Sequence, residues 1–239
     1  MTFNISSSIQ ESRKSVSHLK NDDRPKSIGD IWSIKKLLLL KYYLPSFKQI
    51  CSTRNNFNSW YYADPFCGSG LFSFKDKDLK NEVFPGSSMV GAITASKFNF
   101  TNCIFSELNP KNVNALNERL EDSKYLLNKK TYKAKVKEFT DAAKDIAEFR
   151  KYRMAILVFI DPVGYKDIKW ESIERLFKLV GVDVILNFMT YTIALNVSDS
   201  KNNSKKDKNL TEFFGMIIGR SLEQTETKTS WEGNFLNII

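Results

Sequence analysis

The segment from Asp64 to Gly70 carries the residues best suited to binding a ligand. It reads Asp-Pro-Phe-Cys-Gly-Ser-Gly and directly follows an aromatic run, Trp60 to Ala63, that predicts a buried strand. Glycine is favoured where the backbone adopts a positive φ or where a ligand approaches with no Cβ in the way. A glycine loop at the carboxyl end of the first strand of an α/β sheet is a common position for nucleotide-like cofactors. The pattern Asp-x-Phe-x-Gly-x-Gly differs from the dinucleotide fingerprint and from the phosphate loop.

Acidic residues at the ends of predicted strands are the second chemical feature. Besides Asp64 they are Glu107, Asp141 and Asp161. The carboxyl ends of parallel strands line one crevice, so we expect these side chains to share a site. One such carboxylate more often caps a helix, but four in succession, one of them beside a glycine loop, favour a site. Glu107 is suited to accept both ribose hydroxyls of an adenosine, each bond contributing roughly 1.5–3 kcal/mol, and Asp141 is placed to meet the adenine amino group.

The elements that must position these residues alternate between strands and helices. Five strands are predicted, at residues 60–63, 103–105, 132–139, 154–160 and 182–188. Helices are predicted near residues 86–88 with a serine N-cap, after the N-cap Asn109 and Pro110, after Asp141, and from Trp170 to Val180. This alternation indicates an α/β fold with a mostly parallel twisted sheet and right-handed crossovers.

The flanking sequence divides the chain into four predicted regions. Residues 1–28 are polar and predict a poorly ordered or loosely docked arm. Residues 29–52 predict a helical element that packs on the sheet and is broken or kinked at Pro45. Residues 53–190 predict the core, in which residues 74–84 form an exposed, charged insertion. Residues 191–239 predict a basic loop and a helical segment that ends in what reads as the middle of an element, so the last strands are expected to be missing or truncated.

The composition limits the kinds of chemistry open to the protein. The 239 residues carry a net charge of +9, which favours a polyanionic partner such as nucleic acid, or equally a surface that lysines merely solvate. The three cysteines form no Cys-x-x-Cys pair, so no zinc site is expected, and the single His18 argues against a Ser-His-Asp mechanism. The absence of a long apolar run predicts a cytoplasmic protein that does not enter the membrane.

The glycine loop has the pattern of S-adenosylmethionine-binding methyltransferase folds, and the wider sequence resembles the three-Cys-motif partner protein family, TcmP. The resemblance spans about residues 30–190, with a faint echo at residues 213–215 and at Trp231. Its most specific parts are the Asp-Pro-x-Gly turn followed by Trp-Glu, and the strand Asp-Val-x-x-Asn-Phe. The stretches that carry it are residues 32–47, 62–70, 86–87, 105–107, 159–165, 170–171 and 183–188.

The resemblance implies a Rossmann-like class I methyltransferase fold, S-adenosylmethionine as cofactor, and a second protein with the cysteine motif as partner. It leaves the substrate unassigned. Asp161 and Pro162 are implied at the substrate end, as catalytic residues. The implied cofactor-binding residues are Asp64, Phe66, Cys67, Gly68, Ser69, Gly70, Glu107 and Asp141. A seven-stranded sheet of this class needs two strands after Phe188, and the sequence pattern does not show them.

Two other functions stay open at this point. A DNA or RNA amino-methyltransferase is favoured by the form of the glycine loop, the basic charge and Asp161-Pro162. In adenine methyltransferases Asp-Pro-Pro-Tyr holds the amino group of a flipped base, whereas here the aromatic residue, Tyr165, comes one position later. The alternative for Asp161 and Pro162 is a purely structural role, in which they only shape the turn into the next helix. The other function is a catalytically inactive, Rossmann-like binding module that docks its partner through the basic loop at residues 201–208.

Overall fold

The computed structural model describes residues 5–53, 56–74, 82–123, 126, 132–188, 193, 208–209 and 211–213. The helices are α1 (Ile5–Val16), α2 (Ile31–Thr53), α3 (Ser87–Lys97), α4 (Pro110–Asp122), α5 (Phe139–Phe149) and α6 (Trp170–Phe177). The strands are β1 (Ser27–Gly29), β2 (Ser59–Asp64), β3 (Leu71–Phe74), β4 (Val83–Pro85), β5 (Asn102–Glu107), β6 (Ala134–Val136), β7 (Met154–Ile160) and β8 (Val182–Leu186). Short 3-10 helices span Ser17–Leu19 and Tyr165–Asp167.

A five-stranded parallel sheet forms the centre of the fold. Its strand order is β6-β5-β2-β7-β8, and every neighbouring pair is parallel. All seven residues of β7 are buried, which explains why its sequence is a continuous apolar run. The chain runs outward from β2 in both directions, so the strand order reverses beside β2. The predicted α/β class with a mostly parallel sheet flanked by helices is therefore confirmed, and this order is compatible with a Rossmann-like fold.

Helix α2 covers the helical element that was predicted at residues 29–52. It contains Pro45 and continues to Thr53, so of the two outcomes expected at this proline, a break or a kink, the break is wrong. Leu44 and Phe47, on either side of the proline, are both buried in the core, and their burial holds the helix together across the missing backbone donor. Helix α2 packs against α3 and reaches β7.

A second, three-stranded sheet stands where an exposed insertion was predicted. Strands β3 and β4 are antiparallel, and β1 adds to β3 in parallel. Phe74, Val83 and Phe84 are buried in strands, so the described ends of the predicted insertion, residues 74 and 83–84, are not an exposed loop. Residues 75–81 lie outside the described part. The charged residues between the two strands dominate the composition and hide the short apolar segments at both ends.

The N-terminal segment is also more ordered than its polar composition predicts. The described residues from Ile5 onward form α1, a 3-10 turn and β1 in place of a loosely docked arm. The buried face of α1 consists mainly of small serines, so the helix packs on its neighbours with few apolar side chains. The buried residues of α1 are Ser8, Ser12, Ser15 and Val16. Leu19 continues that contact into the main core.

The chain divides into two compact units. The first comprises residues 1–161 and 175–187, and the second comprises residues 162–174 and 188–239. In the second unit Phe213 packs against Tyr165 and Phe188, with ring centroids 5.9 and 5.6 Å away. The predicted basic loop before Lys208, the end of the chain after Phe213 and any further strands there lie outside the described residues. No helix in the described ranges is both long and apolar enough to cross a membrane.

Candidate functional site

The glycine loop follows β2 directly and has the backbone that its sequence predicts. Gly68 and Gly70 have φ angles of 56° and 88°, values that side chains with a Cβ seldom adopt. A Cβ on Gly70 would also lie 2.8 Å from Leu116 Cδ1, so this glycine lets the loop pack closely on α4. Among the residues that the structure describes, a Cβ on Gly68 would meet only Ser27 Oγ, at 3.6 Å. The two glycines therefore differ: backbone angle alone demands Gly68, whereas both angle and space demand Gly70.

Hydrogen bonds from the neighbouring elements hold the loop in place. The Cys67 N–H donates to the Ser106 carbonyl at 3.0 Å, and the Ser88 hydroxyl donates to the Cys67 carbonyl at 2.7 Å. The Gly86 N–H donates to the Gly70 carbonyl at 2.7 Å. Serine was expected to cap α3, but Gly86 is the N-cap residue and Ser88 is committed to the loop instead. The start of α3 thus serves as a support for the glycine loop.

Glu107, at the carboxyl end of β5, contacts the glycine loop. Its Oε2 accepts the Gly68 N–H at 3.2 Å, and its Oε1 accepts the Asn109 N–H at 2.9 Å. The side chain is half-buried, and a carboxylate offers about four lone-pair positions, so it has capacity for further donors. The structure therefore brings together the glycine loop and the carboxylate that the sequence predicted beside it.

Asp64 is fully buried at the end of β2. Its carboxylate accepts hydrogen bonds from the Tyr62 hydroxyl and the Phe66 N–H, both at 3.2 Å. Burial raises the carboxyl pKa from 3.8 to about 7, and the charge of Asp161 adds to this, while hydrogen bonds, including one with Ser87, oppose it. Asp64 consequently changes its charge near neutral pH.

Asp161, at the end of β7, already has two strong partners. Lys36 Nζ lies 2.8 and 2.7 Å from its two carboxylate oxygens, and Asn187 Nδ2 donates to Oδ1 at 2.7 Å. Lys36 comes from α2, and Asn187 directly follows β8. Lys36 was missed because it lies 125 positions away from Asp161 and has no local motif. Asn187 was visible as a polar residue after a strand, but it was used only in the family resemblance.

The region after β6 differs from the prediction. Asp141 does not follow the strand directly; it lies exposed in the first turn of α5. The carboxylate nearer to the strand is Glu138, which occupies the N-cap position of α5 without a capping hydrogen bond from its side chain. Phe139, which was not predicted as a site residue, stacks on Phe66 of the loop, with 5.3 Å between ring centroids and 26° between planes. Phe66 therefore contributes an aromatic contact that links the loop to α5.

The turn after Asp161 departs from the base-binding arrangement. Pro162 is buried and Val163 is fully exposed. Tyr165 retains only 1% of its accessible surface and packs edge-on against Phe213. Because its ring is committed to the core of the second unit, Tyr165 is not available to stack on a flipped base.

Cys67 and the remaining loop residue, Ser69, complete the predicted set. Cys67 is buried in the core, and burial raises the pKa of its thiol well above the ordinary range, which favours the protonated thiol. The Ser69 hydroxyl is buried and donates to the Leu71 carbonyl at 3.3 Å. Its carbonyl accepts a hydrogen bond from Arg119 Nη1, a fully buried side chain that sequence reasoning missed. In the described ranges no group of three His, Cys, Asp or Glu residues could hold a metal ion.

Comparisons with known proteins leave the chain without an assigned family. No protein-family model matches it, and no curated protein matches it. Among solved structures, the chain is similar to the crystal structure of protein LPL1258 from Legionella pneumophila str. Philadelphia 1, of family DUF519. The two sequences are 13% identical, and the TM-score is 0.38. That alignment covers 61% of this chain and 65% of the other, which is less than two thirds of its length. A likeness at this level carries no argument about function.

Proposed function

We propose that this chain binds S-adenosylmethionine at the glycine loop and is a methyltransferase-like protein of the three-Cys-motif partner type. The observation that carries the proposal is the hydrogen bond between Glu107 and the Gly68 N–H. It places a partly exposed carboxylate beside a loop with positive φ angles, at the carboxyl ends of two neighbouring parallel strands. In open parallel sheets this is where nucleotide-like ligands bind.

The residues at this position fit an adenosine group. Glu107 has lone pairs left for the ribose hydroxyls, and Gly68 presents no Cβ toward the ligand. Asp141, exposed at the start of α5, would meet the adenine amino group. The remaining members of the proposed binding set are Asp64, Phe66, Cys67, Ser69 and Gly70. Of these, Asp64, Cys67, Ser69 and Gly70 act through the shape of the loop, because their side chains are buried or absent.

Methyl transfer would need little covalent chemistry from the protein. The bound cofactor supplies an activated methyl group, and alignment with desolvation of the acceptor provides most of the rate. Asp161 presents carboxylate oxygens of the kind that an acceptor amino group requires, and both Lys36 and the Asn187 amide already donate to them. Pro162 would fix the direction of the chain after Asp161. An amine acceptor would therefore have to displace Lys36 or enter beside it.

A calorimetric titration with S-adenosylmethionine tests the binding part of the proposal. Glu107→Ala should lower the affinity about tenfold or more, because each charge-assisted hydrogen bond contributes roughly 1.5–3 kcal/mol. Glu148→Ala is the matched control, since Glu148 is exposed on α5 and pairs only loosely with Lys144, at 3.8 Å. Unchanged affinity in Glu107→Ala would refute a ligand at this carboxylate.

A catalytically inactive binding module is the second candidate. The ion pair between Lys36 and Asp161 favours the inactive module, because Lys36 fills the place beside the carboxylate that a methyl acceptor would need. A nucleic-acid substrate is less well supported, since Tyr165 is buried. Methyl incorporation into protein or nucleic acid from labelled cofactor, lost in Asp161→Ala, would favour the enzyme. Cofactor binding without any incorporation, together with a stable complex with a cysteine-motif protein, would favour the module.

A further inference from the structure

Arg119 of α4 is a buried cation whose hydrogen bonds reach two distant parts of the chain. None of its surface is accessible. Nε donates to Asp22 Oδ2 at 2.8 Å, Nη1 to the Pro25 carbonyl at 2.7 Å, and Nη2 to the Arg24 carbonyl at 3.0 Å. Nη1 also donates to the Ser69 carbonyl in the glycine loop. A buried charge is costly unless it is paired and fully hydrogen-bonded, so losing any one of these contacts would destabilise the Arg119 guanidinium. This single side chain therefore links residues 22–25 to the glycine loop.

The segment 22–29, which we call the N-terminal strap, also borders the loop by other contacts. Its strand β1 pairs with β3, which begins directly after Gly70, and Ser27 lies opposite Phe72. Ser27 Oγ is the atom that a Cβ on Gly68 would meet first, at 3.6 Å. On the other side, a Cβ on Gly70 would lie 3.8 Å from Arg119 Cδ. The strap and Arg119 therefore enclose the glycine loop from two directions.

We infer that Arg119 is a positioning residue that couples docking of the N-terminal strap to the geometry of the glycine loop, so that a ligand bound at the loop also stabilises the strap. The ligand part of this inference rests on the proposed function, whereas the coupling between strap and loop does not. Coupling free energies are reciprocal: if an ordered strap improves binding at the loop, binding at the loop must order the strap to the same extent. The strap contains none of the proposed ligand-binding residues, so its response to ligand reports coupling and not contact.

Amide hydrogen exchange on the ligand-free full-length protein tests the coupling. Asp22→Asn alters the strap without touching the loop, because among the described residues the Asp22 carboxylate accepts hydrogen bonds from Arg24 and Arg119 only. We expect faster exchange both in the strap and in peptides covering residues 66–71, where the Cys67 and Gly68 N–H groups are hydrogen-bonded. The increase should be about tenfold or more, as for loss of one charged hydrogen bond. If residues 66–71 of this variant exchange at the same rate as in wild type, the inference is overturned, whether or not exchange in the strap becomes faster.

Two further variants keep the test decisive. Arg13→Ala removes another arginine of the N-terminal region, whose salt bridge to Glu82 does not involve the loop; exchange at residues 66–71 should stay as in wild type. If Asp22→Asn fails to fold, Arg119→Lys keeps the charge but loses the fork of donors, and it should loosen strap and loop together. Loosening of only one of them would contradict the inference.

The ligand arm uses S-adenosylhomocysteine as the probe. In the wild-type protein, saturating probe should slow exchange in the strap, and Asp22→Asn should bind the probe about tenfold more weakly than wild type or Arg13→Ala, matching its loosened loop. Binding that leaves strap exchange unchanged would overturn the ligand part. If the wild-type protein does not bind the probe at all, the proposed function fails, while the exchange data on the ligand-free protein still decide the coupling.

Discussion

Asp64 places a titrating carboxyl group inside the core, next to the loop that we propose as the ligand site. Its pKa is raised by burial from 3.8 to about 7, so the folded protein holds a proton there that the unfolded chain releases above about pH 4. The stability that this proton provides is therefore full below about pH 4 and is lost as the pH rises through 7. The charge of Asp161 contributes to the same shift.

Asp64→Asn should remove this pH dependence. The amide keeps an oxygen that can accept the Phe66 N–H but carries no charge at any pH. We expect the free energy of unfolding of the variant, relative to wild type, to increase as the pH rises from 5 to 8. Urea unfolding at both values measures it. Parallel pH profiles for the two proteins would show that Asp64 stays ionised throughout.

The two loop glycines provide a matched pair of substitutions. The methyl group of Gly68→Ala would make an ordinary contact with Ser27 Oγ, so the substitution should cost on the order of 1–2 kcal/mol, from the left-handed backbone alone. Gly70→Ala has the same backbone penalty plus a clash with Leu116, which should add roughly 1–3 kcal/mol. Chemical denaturation measures both. Equal losses of stability would mean that α4 moves away to accommodate the extra methyl group.

At the scale of elements, the N-terminus of α4 both caps a helix and supports the site. Asn109 Oδ1 accepts the Lys111 N–H at 2.9 Å, while the Asn109 N–H is bound by Glu107. Asn109→Ala should lower the free energy of unfolding by about 1 kcal/mol, since it removes the cap. Asn114→Ala, at an exposed position inside the same helix, is the control and should be neutral or slightly stabilising. Equal effects of the two substitutions on thermal unfolding would contradict the capping role.

The elements that the sequence predicted correctly have strong local signals. Strand β7 is a continuous apolar run, and Asn109-Pro110 marks the start of α4 by the ordinary rules of helix capping. The N-terminal helix and β3–β4 were missed because their buried faces are made of serines or lie beside charged residues. Lys36 and Arg119 were missed for another reason: their partners are 125 and 97 positions away along the chain, so only the tertiary fold brings them together.

At the scale of the whole molecule, the strap ties the start of the chain to the core through ionic hydrogen bonds. Burial acts to raise the pKa of Asp22, but bonds from Arg24 and Arg119 outweigh it and hold that pKa well below 3.8. The resulting stability is present above about pH 4 and is lost as the pH falls below it. Acid unfolding of Asp22→Asn should accordingly be less steep than that of wild type, as followed by circular dichroism. An unchanged acid transition would mean that Asp22 does not pair in solution.

We propose that a nucleotide-like cofactor binds where Glu107 meets the glycine loop, and the ratio of S-adenosylmethionine affinities between wild type and Glu107→Ala is the measurement to make first. We expect wild type and Glu148→Ala to bind alike and Glu107→Ala to bind at least about tenfold more weakly. Equal affinity in all three proteins would place the ligand elsewhere, and a well-folded wild type that binds no cofactor would contradict the claim.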